Sequence, residues 1–350
     1  MKVTIRTVFR TENCGSYLQA WALNEMLSAM GNEVIFSDYK SPVATKDKLL
    51  NVLKCYGKLK FKKGSSILKK MLAFNKARKS LKVSKDTNAC DLCFFGSDTL
   101  WNFKDEFFVD KASFFTGEDV AKPCYAYAIS IGSTSKEDFI KQGKAVQNIQ
   151  KFKKISVRDI HTKNVLSEIY PDENIVKSVD PTMLLEKDVY ERKFASKKII
   201  EEKYLLIYYF GTIPKDVWQH IKNLAKAKGL KIVNVGFYDK MFDVNLPFSI
   251  ENFITAYKNS EYVFTNTFHG CVFSIIFNKQ FATNGASKKK IQGLLEEFGL
   301  NDRAIEESQD IEKVLTTMVD YEKVNAIIKE RREESMCYLE SVIKEVKNNE

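Results

Sequence analysis

Thr265-Asn266-Thr267-Phe268-His269-Gly270-Cys271 separates two apolar runs. Glu261-Tyr262-Val263-Phe264 precedes it, and its β-branched and aromatic residues predict a buried strand. Val272-Phe273-Ser274-Ile275-Ile276-Phe277 follows, and its composition alone suits a strand or a buried helix. A polar turn with Gly270 before it, and Asn278-Lys279-Gln280 closing it ahead of a short strand at 281–283, favour the helix. The stretch is therefore a strand-turn-helix unit with a histidine in the turn. Such turns lie at the carboxyl ends of strands in open α/β sheets, where ligands bind. The N–H groups that open the helix favour an anion, and histidine gives and takes protons near neutrality. A structural role for the histidine stands beside the functional one.

The same alternation extends to both sides. Upstream, strands are expected at 204–210 and 230–235, with helices at 215–228 and 250–258. Residues 3–8 predict a strand, Thr11-Glu12-Asn13-Cys14-Gly15 a turn, and Leu18, Trp21, Ala22, Met26, Leu27 and Met30 a helix that ends at Gly31. Ser16 and Gln19 stand at the spacing of a capping box. A strand at 33–38 completes a βαβ opening. Its turn has one glycine, so it is not the three-glycine dinucleotide fingerprint. Further strands are expected at 92–95, 124–131, 155–157 and 175–179, with a helix over about 136–151. Polar turns follow the strands, at Gly96-Ser97-Asp98-Thr99-Leu100-Trp101-Asn102, Gly132-Ser133, Arg158-Asp159 and Asp180-Pro181-Thr182. For Arg158 a surface ion pair with Asp159 or Glu168 competes with an anion-binding role. Strands alternating with helices at these spacings imply parallel, doubly wound sheets.

The expected organisation is a first domain over 1–190, a second over 191–315 carrying the His269 turn, and C-terminal helices over 316–350 that can cross back to the first. Residues 187–203 are charged and lack an apolar period, which suggests a linker. At 350 residues and 44% apolar composition there is enough chain for two cores. No apolar run approaches the ~20 residues of a membrane span, and the opening residues run straight into a strand pattern, so neither a span nor a signal peptide is expected. A cytoplasmic setting, with attachment at the inner face of the membrane, is the expectation. Seven cysteines without framework spacing fit free thiols. Cys90-Asp91-Leu92-Cys93 has no second pair to complete a zinc site.

The net charge of +10 is local. Residues 45–85 hold fourteen Lys or Arg against Asp47, or +13, which leaves 10 − 13 = −3 for the rest. Leu49, Leu50, Leu53, Leu59, Phe61, Ile67, Leu68, Met71, Leu72 and Phe74 punctuate these lysines. Two amphipathic helices broken near Gly57 and Gly64 are expected, forming a basic helical excursion of the first domain over 45–88. Such a hairpin suits an anionic membrane surface or a solvated excursion packed by its apolar side. No nucleic-acid partner is expected, because no reading module surrounds the lysines.

Taken in order, the turns resemble the polysaccharide pyruvyl transferase family. The matching stretches are 12–23 (Glu12-Asn13-Cys14-Gly15 onward), 95–102, Tyr127-Ala128-Ile129-Ser130-Ile131-Gly132, Ile155-Ser156-Val157-Arg158-Asp159, 179–185, Thr267-Phe268-His269-Gly270 and 294–303. Thr267 stands where the family commonly has Ser, and Lys290 where an arginine often precedes the Leu294-Leu295 stretch. The resemblance implies two Rossmann-like domains facing a cleft, GT-B-like. It implies phosphoenolpyruvate as co-substrate and a sugar hydroxyl pair as acceptor; a lipid-linked cell-surface polysaccharide precursor is the expected carrier of that pair, and the chemistry demands no cofactor or metal. A nucleotide-sugar glycosyltransferase on the same architecture is the alternative, since fold does not fix function. A catalytically idle membrane-surface protein is a third reading.

Ketal formation requires an acid for the donor's methylene carbon, donors for two anionic groups, and contacts to the sugar. His269 is the expected acid, and Asp98 a base for the attacking hydroxyl. Arg158, Asn266, Thr267, His269 and Gly270 are the expected donor-binding residues. Asn13, Gly15, Gln19, Ser97 and Asn102 are candidates for acceptor contact or for shaping the first-domain face.

Overall fold

The structure is a computed structural model that describes residues 1–40, 45–86, 88–170 and 175–349. Its first sheet has seven strands: β1 (Lys2–Arg6), β2 (Glu33–Ser37), β3 (Val83–Ser84), β4 (Leu92–Phe95), β5 (Cys124–Ile129), β6 (Lys154–Val157) and β7 (Ile175–Lys177). They lie in the order β3-β2-β1-β4-β5-β6-β7, and neighbours are parallel throughout. The second sheet has β8 (Tyr204–Tyr208), β9 (Lys231–Val235), β10 (Val244–Leu246), β11 (Tyr262–Thr265) and β12 (Gln280–Thr283), in the order β10-β9-β8-β11-β12. These pairs too are all parallel. Helices cover both faces of such sheets, so their strands read as continuous apolar runs rather than alternating ones. Leu92–Phe95 and Tyr204–Tyr208 are buried at every position. The edge strands β3 and β10 are only two and three residues long and carry no such run, which is why the sequence did not announce them.

In each sheet the strand order reverses once. The chain winds outward through β1, β2 and β3, then returns to the other side of β1 with β4. The second sheet repeats this at β8, with β9 and β10 on one side and β11 on the other. A doubly wound sheet opens a crevice at this point, at the carboxyl ends of the two central strands. The Asn13 and Ser97 turns follow β1 and β4, and the His269 turn follows β11.

The chain divides into two compact units: Met1–Pro42 with Arg78–Leu185 and Ile327–Glu350, and Val43–Ala77 with Glu186–Ala326. Three expectations change. First, the basic excursion, assigned to the first domain because it interrupts that part of the chain, belongs to the second unit. Its inward residues Val52, Met71 and Phe74 are buried, and the Phe74 ring meets Phe248 edge-on at 5.6 Å. The Lys70 ammonium lies 4.7 Å from the centre of the Phe237 ring and 5.0 Å from that of Phe248, a cation–π contact. Second, Gly64 does not break a helix. The hairpin helices are Thr45–Gly57 and Phe61–Arg78, and Gly64 lies inside the second. A Cβ there would come within 2.8 Å of the Tyr56 ring, so glycine lets the two helices approach. Third, the charged stretch read as a linker contains the helix Lys187–Phe194, whose Tyr190 is buried against Phe273 of the second unit. One buried tyrosine per two turns is too sparse a signal for periodicity to detect.

The expected helix over 136–151 is two short ones, Lys136–Ile140 and Gly143–Ile149. The last helix runs Tyr321–Asn348, and from Ile327 it packs with the first unit. There Ser335 Oγ accepts from the Val179 N–H, and the Tyr338 hydroxyl donates to the Ala126 carbonyl.

Candidate functional site

In the first unit the turns after β1 and β4 are tied together by buried polar groups. The helix Cys14–Ala29 is capped by Asn13, whose Oδ1 accepts from the Gly15 and Ser16 N–H groups at 2.8 and 3.3 Å. The expected Ser16–Gln19 capping box does not form, because both side chains are drawn to the neighbouring turn. Gln19 is fully buried. Its amide donates to Thr7 Oγ1, to the Val8 carbonyl and to the Ser16 carbonyl, and its Oε1 accepts from the Ser97 N–H. Ser16 Oγ donates to Asp98 Oδ2 at 3.0 Å. Gly96 is required at the end of β4: its φ is +115°, and a Cβ would stand 2.2 Å from the Tyr127 carbonyl oxygen. Asp98 also has a positive φ, +75°, and is half-buried.

Arg158, at the end of β6, joins the same assembly from within. Its side chain is 3% exposed, and Nη1 donates to Asp180 Oδ2 at 2.7 Å. Ser97 Oγ donates to that same oxygen at 3.2 Å, while Asp180 Oδ1 accepts from the Thr182 N–H and hydroxyl. The surface ion pair considered for Arg158 does not occur. Asp159 caps the next helix through Thr162, and Glu168 pairs with Lys136. The guanidinium is thus interior, and in this structure it positions Asp180 and, through it, the Ser97 turn.

Several residues expected to meet the acceptor instead use their polar groups on the protein. Gln19 and Ser97 are inaccessible. Asn13 Oδ1 is the helix cap, and Asn102 Oδ1 accepts from Thr134. In this arrangement their polar groups brace the turns of the first-unit face. Asp98 and Gly15 stand at this switch point beside them, with Gly15 buried in the first helical turn.

In the second unit, the helix Phe268–Ile276 starts immediately after β11. Thr267 is its N-cap, with Oγ1 accepting from the Gly270 N–H at 2.9 Å. Behind it, Thr265 is buried and its hydroxyl donates to the Tyr208 carbonyl at 2.6 Å, tying the end of β11 to that of β8. Asn266 clamps the adjoining turn: Oδ1 accepts from the Phe210 N–H, and Nδ2 donates to the Phe210 carbonyl. Asn266 is therefore a turn clamp, a role its sequence position did not reveal. Gly270 is dictated by space, since a Cβ would lie 2.0 Å from Thr265 Oγ1. His269 is the second residue of the helix and half-buried, with its ring edge-on to Phe268 at 5.3 Å. The positive end of the helix dipole lies at this turn, with no acid in the first turn to offset it.

Lys288 is a residue that sequence reasoning missed. Its Nζ donates to the Asn266 carbonyl at 2.7 Å, which brings an ammonium to the His269 turn. Desolvation lowers its pKa, while the nearby Cys271 acts in the opposite direction. Gly285 makes the approach feasible, because a Cβ there would meet the Asn266 carbonyl oxygen at 2.9 Å. In the run Ser287-Lys288-Lys289-Lys290, nothing in the sequence marks which lysine reaches the Asn266 carbonyl. Cys271 is buried, which pushes its thiol up to about 12 and leaves it inert. Among the described residues no group of three or more His, Cys, Asp or Glu is placed to hold a metal, and all seven cysteines are free.

Two doubly wound parallel sheets, each with a polar turn at its switch point, define a GT-B-like α/β protein. Solved structures share this fold. A UDP-GlcNAc 2-epimerase from Neisseria meningitidis bound to UDP-GlcNAc is 12% identical, with a TM-score of 0.55, covering 98% of this chain and 100% of that one. A UDP-GlcNAc 2-epimerase from Methanocaldococcus jannaschii is 11% identical (TM-score 0.53; 91% and 93% covered). MnaA from S. aureus, solved with UDP, is 14% identical (TM-score 0.53; 95% and 91% covered). No curated protein matches the sequence. Residues 13–283 match the polysaccharide pyruvyl transferase family, and the chain belongs to it. Membership makes it a transferase of polysaccharide biosynthesis. No helix among the described residues is long and apolar enough to cross a membrane.

Proposed function

We propose that the protein transfers the pyruvate unit of phosphoenolpyruvate onto a pair of sugar hydroxyls, forming a pyruvate ketal on a cell-surface polysaccharide precursor and releasing inorganic phosphate. The observation that carries this reading is the His269 turn. It sets a proton-transfer side chain, a helix N-terminus and the Lys288 ammonium together at the switch point of the second sheet. That is the equipment an anionic enol ester demands.

In this reading His269 protonates the methylene carbon of the donor, making it a methyl group. The adjacent carbon becomes electron-poor and is captured by one sugar hydroxyl, whose proton is lost. Phosphate departs from that carbon, and the second hydroxyl closes the ketal. Of the two hydroxyl protons, one replaces that given by His269 and the other leaves with phosphate. Lys288 and the opening of the helix Phe268–Ile276 hold donor anions, with Thr267 and Asn266 fixing the turn. Asp98 is the base assigned to an acceptor hydroxyl, on a turn that Arg158, Asp180 and Ser16 brace.

The test is incubation with phosphoenolpyruvate and a panel of lipid-linked or synthetic glycosides, read by phosphate release and by mass spectrometry for the ketal. His269→Gln should lower the rate by on the order of 10²–10⁴-fold while donor binding, measured by calorimetry, changes much less. Near-normal turnover by His269→Gln would remove His269 as the acid. Turnover of a nucleotide sugar, with no phosphate released from phosphoenolpyruvate, would assign the chain to glycosyl transfer instead.

A further inference from the structure

We infer that the helical hairpin Thr45–Gly57 and Phe61–Arg78 is a docking surface for an anionic phospholipid bilayer, with its tip at residues 58–60 entering the headgroup layer. The inference is independent of the donor and acceptor chemistry.

Its basis is a second apolar face on helices that already have a buried one. Val52, Met71 and Phe74 face inward. On the other side Leu53 is 63% exposed, Leu59 77%, Phe61 57% and Leu72 60%, with Leu49 and Leu50 also exposed. Of fourteen large hydrophobic side chains exposed among the described residues, these six fall within 49–72. That concentration is not the scatter of single apolar residues that a soluble surface normally shows. Leu49, Leu50 and Leu53 fall on one face of the first helix by their spacing, and Phe61, Lys62, Lys69, Leu72 and Lys76 on one face of the second. The tip itself alternates the two kinds of residue: Lys58-Leu59-Lys60-Phe61-Lys62-Lys63.

Charge complementarity selects the occupant. Residues 45–77 hold ten lysines and one acid, or 10 − 1 = +9. Long lysine side chains flanking Leu and Phe match an interface with anionic headgroups above and acyl chains below. A cavity of about 360 Å³ opens beside Phe61, with Lys62, Lys69, Ser65 and Tyr238 on its walls, and has the donors to receive a headgroup phosphate. The hairpin is braced for the task from behind, by Phe74 on Phe248 and by Lys70 over Phe237.

The experiment is sedimentation of the full chain with vesicles of phosphatidylcholine containing phosphatidylglycerol, beside vesicles of phosphatidylcholine alone. The protein should sediment with the anionic vesicles, stay in solution with the neutral ones, and be released as salt is raised. A Lys58→Gln, Lys60→Gln, Lys62→Gln variant should lose on the order of 100-fold in partitioning, from about five-fold per lysine near an anionic surface. A Leu59→Ser, Phe61→Ser variant, which keeps every charge, should also bind at least ~10-fold more weakly through lost apolar burial. All these side chains are exposed, and circular dichroism checks that the variants remain folded. The inference is overturned if the wild type does not sediment, if it sediments equally with neutral vesicles, or if both variants partition like the wild type. Retention by RNA without vesicle binding would give the lysines to nucleic acid. A dimer that Leu59→Ser, Phe61→Ser dissolves, without vesicle binding, would give the apolar ridge to a second copy.

Discussion

The same substitution, glycine to alanine, should have opposite effects on stability at two helical positions in the second unit. Gly293 lies inside the helix Lys289–Glu297, and a Cβ there meets nothing within 4 Å. Gly293→Ala should therefore stabilise by ~0.5–1 kcal/mol, from the smaller conformational entropy lost and the better helix propensity. Gly270 lies in the first turn of the helix Phe268–Ile276, and there a Cβ would meet Thr265 Oγ1 at 2.0 Å, Thr267 Oγ1 at 2.6 Å and Thr265 Cβ at 2.8 Å. None of these atoms is the free end of a flexible chain. Thr265 is buried and its hydroxyl holds the Tyr208 carbonyl, while Thr267 Oγ1 holds the Gly270 N–H. Relief requires the helix to shift, at ~1–3 kcal/mol for overpacking, or the buried Thr265 bond to break, at ~1–3 kcal/mol. Set against a propensity gain of ~1 kcal/mol, the net loss for Gly270→Ala is about 1 kcal/mol. Urea unfolding reads both, as midpoint shifts at unchanged slope. A Gly270→Ala protein as stable as Gly293→Ala would refute the packing described for the His269 turn.

Removing one side of the interior Arg158–Asp180 pair should leave a buried charge uncompensated, so Arg158→Ala should destabilise the protein by ~3–5 kcal/mol. An exposed pair would lose ~1 kcal/mol or less, and denaturant unfolding distinguishes the two outcomes. In folded Arg158→Lys protein, phosphoenolpyruvate titration separates the roles: a donor ligand loses ~1.5–3 kcal/mol of affinity, and a purely positioning residue loses little. Lys288→Met should weaken phosphoenolpyruvate binding, and its pH dependence carries a sign. The desolvated ammonium gives up its proton at lower pH than an ordinary lysine. Wild-type anion affinity should accordingly fall as pH rises, starting below the usual lysine range, and the alkaline fall should be absent in Lys288→Met. A wild-type profile that stays flat through that range would show that Lys288 does not touch the donor.

Local events are written in neighbouring residues. Short continuous apolar runs bounded by polar turns, such as Leu92–Phe95 and Tyr204–Tyr208, read as strands buried on both faces, and their alternation with helices implied parallel sheets. The polar turns after them, with Thr267, His269 and Gly270 in one and Ser97 and Asp98 in another, were legible because turn and cap chemistry is written in adjacent residues. Tertiary structure alone decided which of those polar groups remain available. Gln19 is consumed by Thr7, Val8, Ser16 and the Ser97 N–H, the Ser97 hydroxyl by Asp180, Asn266 by Phe210, and Arg158 by an aspartate 22 residues away. It alone selected Lys288 from a run of three lysines, through a carbonyl supplied by another turn. It also moved the basic hairpin to the second unit, because Phe74 and Lys70 find Phe248 and Phe237 there. Periodicity reports whether a side chain is inward or outward along its own element. Which partner it meets depends on residues far away in the chain, and no local pattern encodes that.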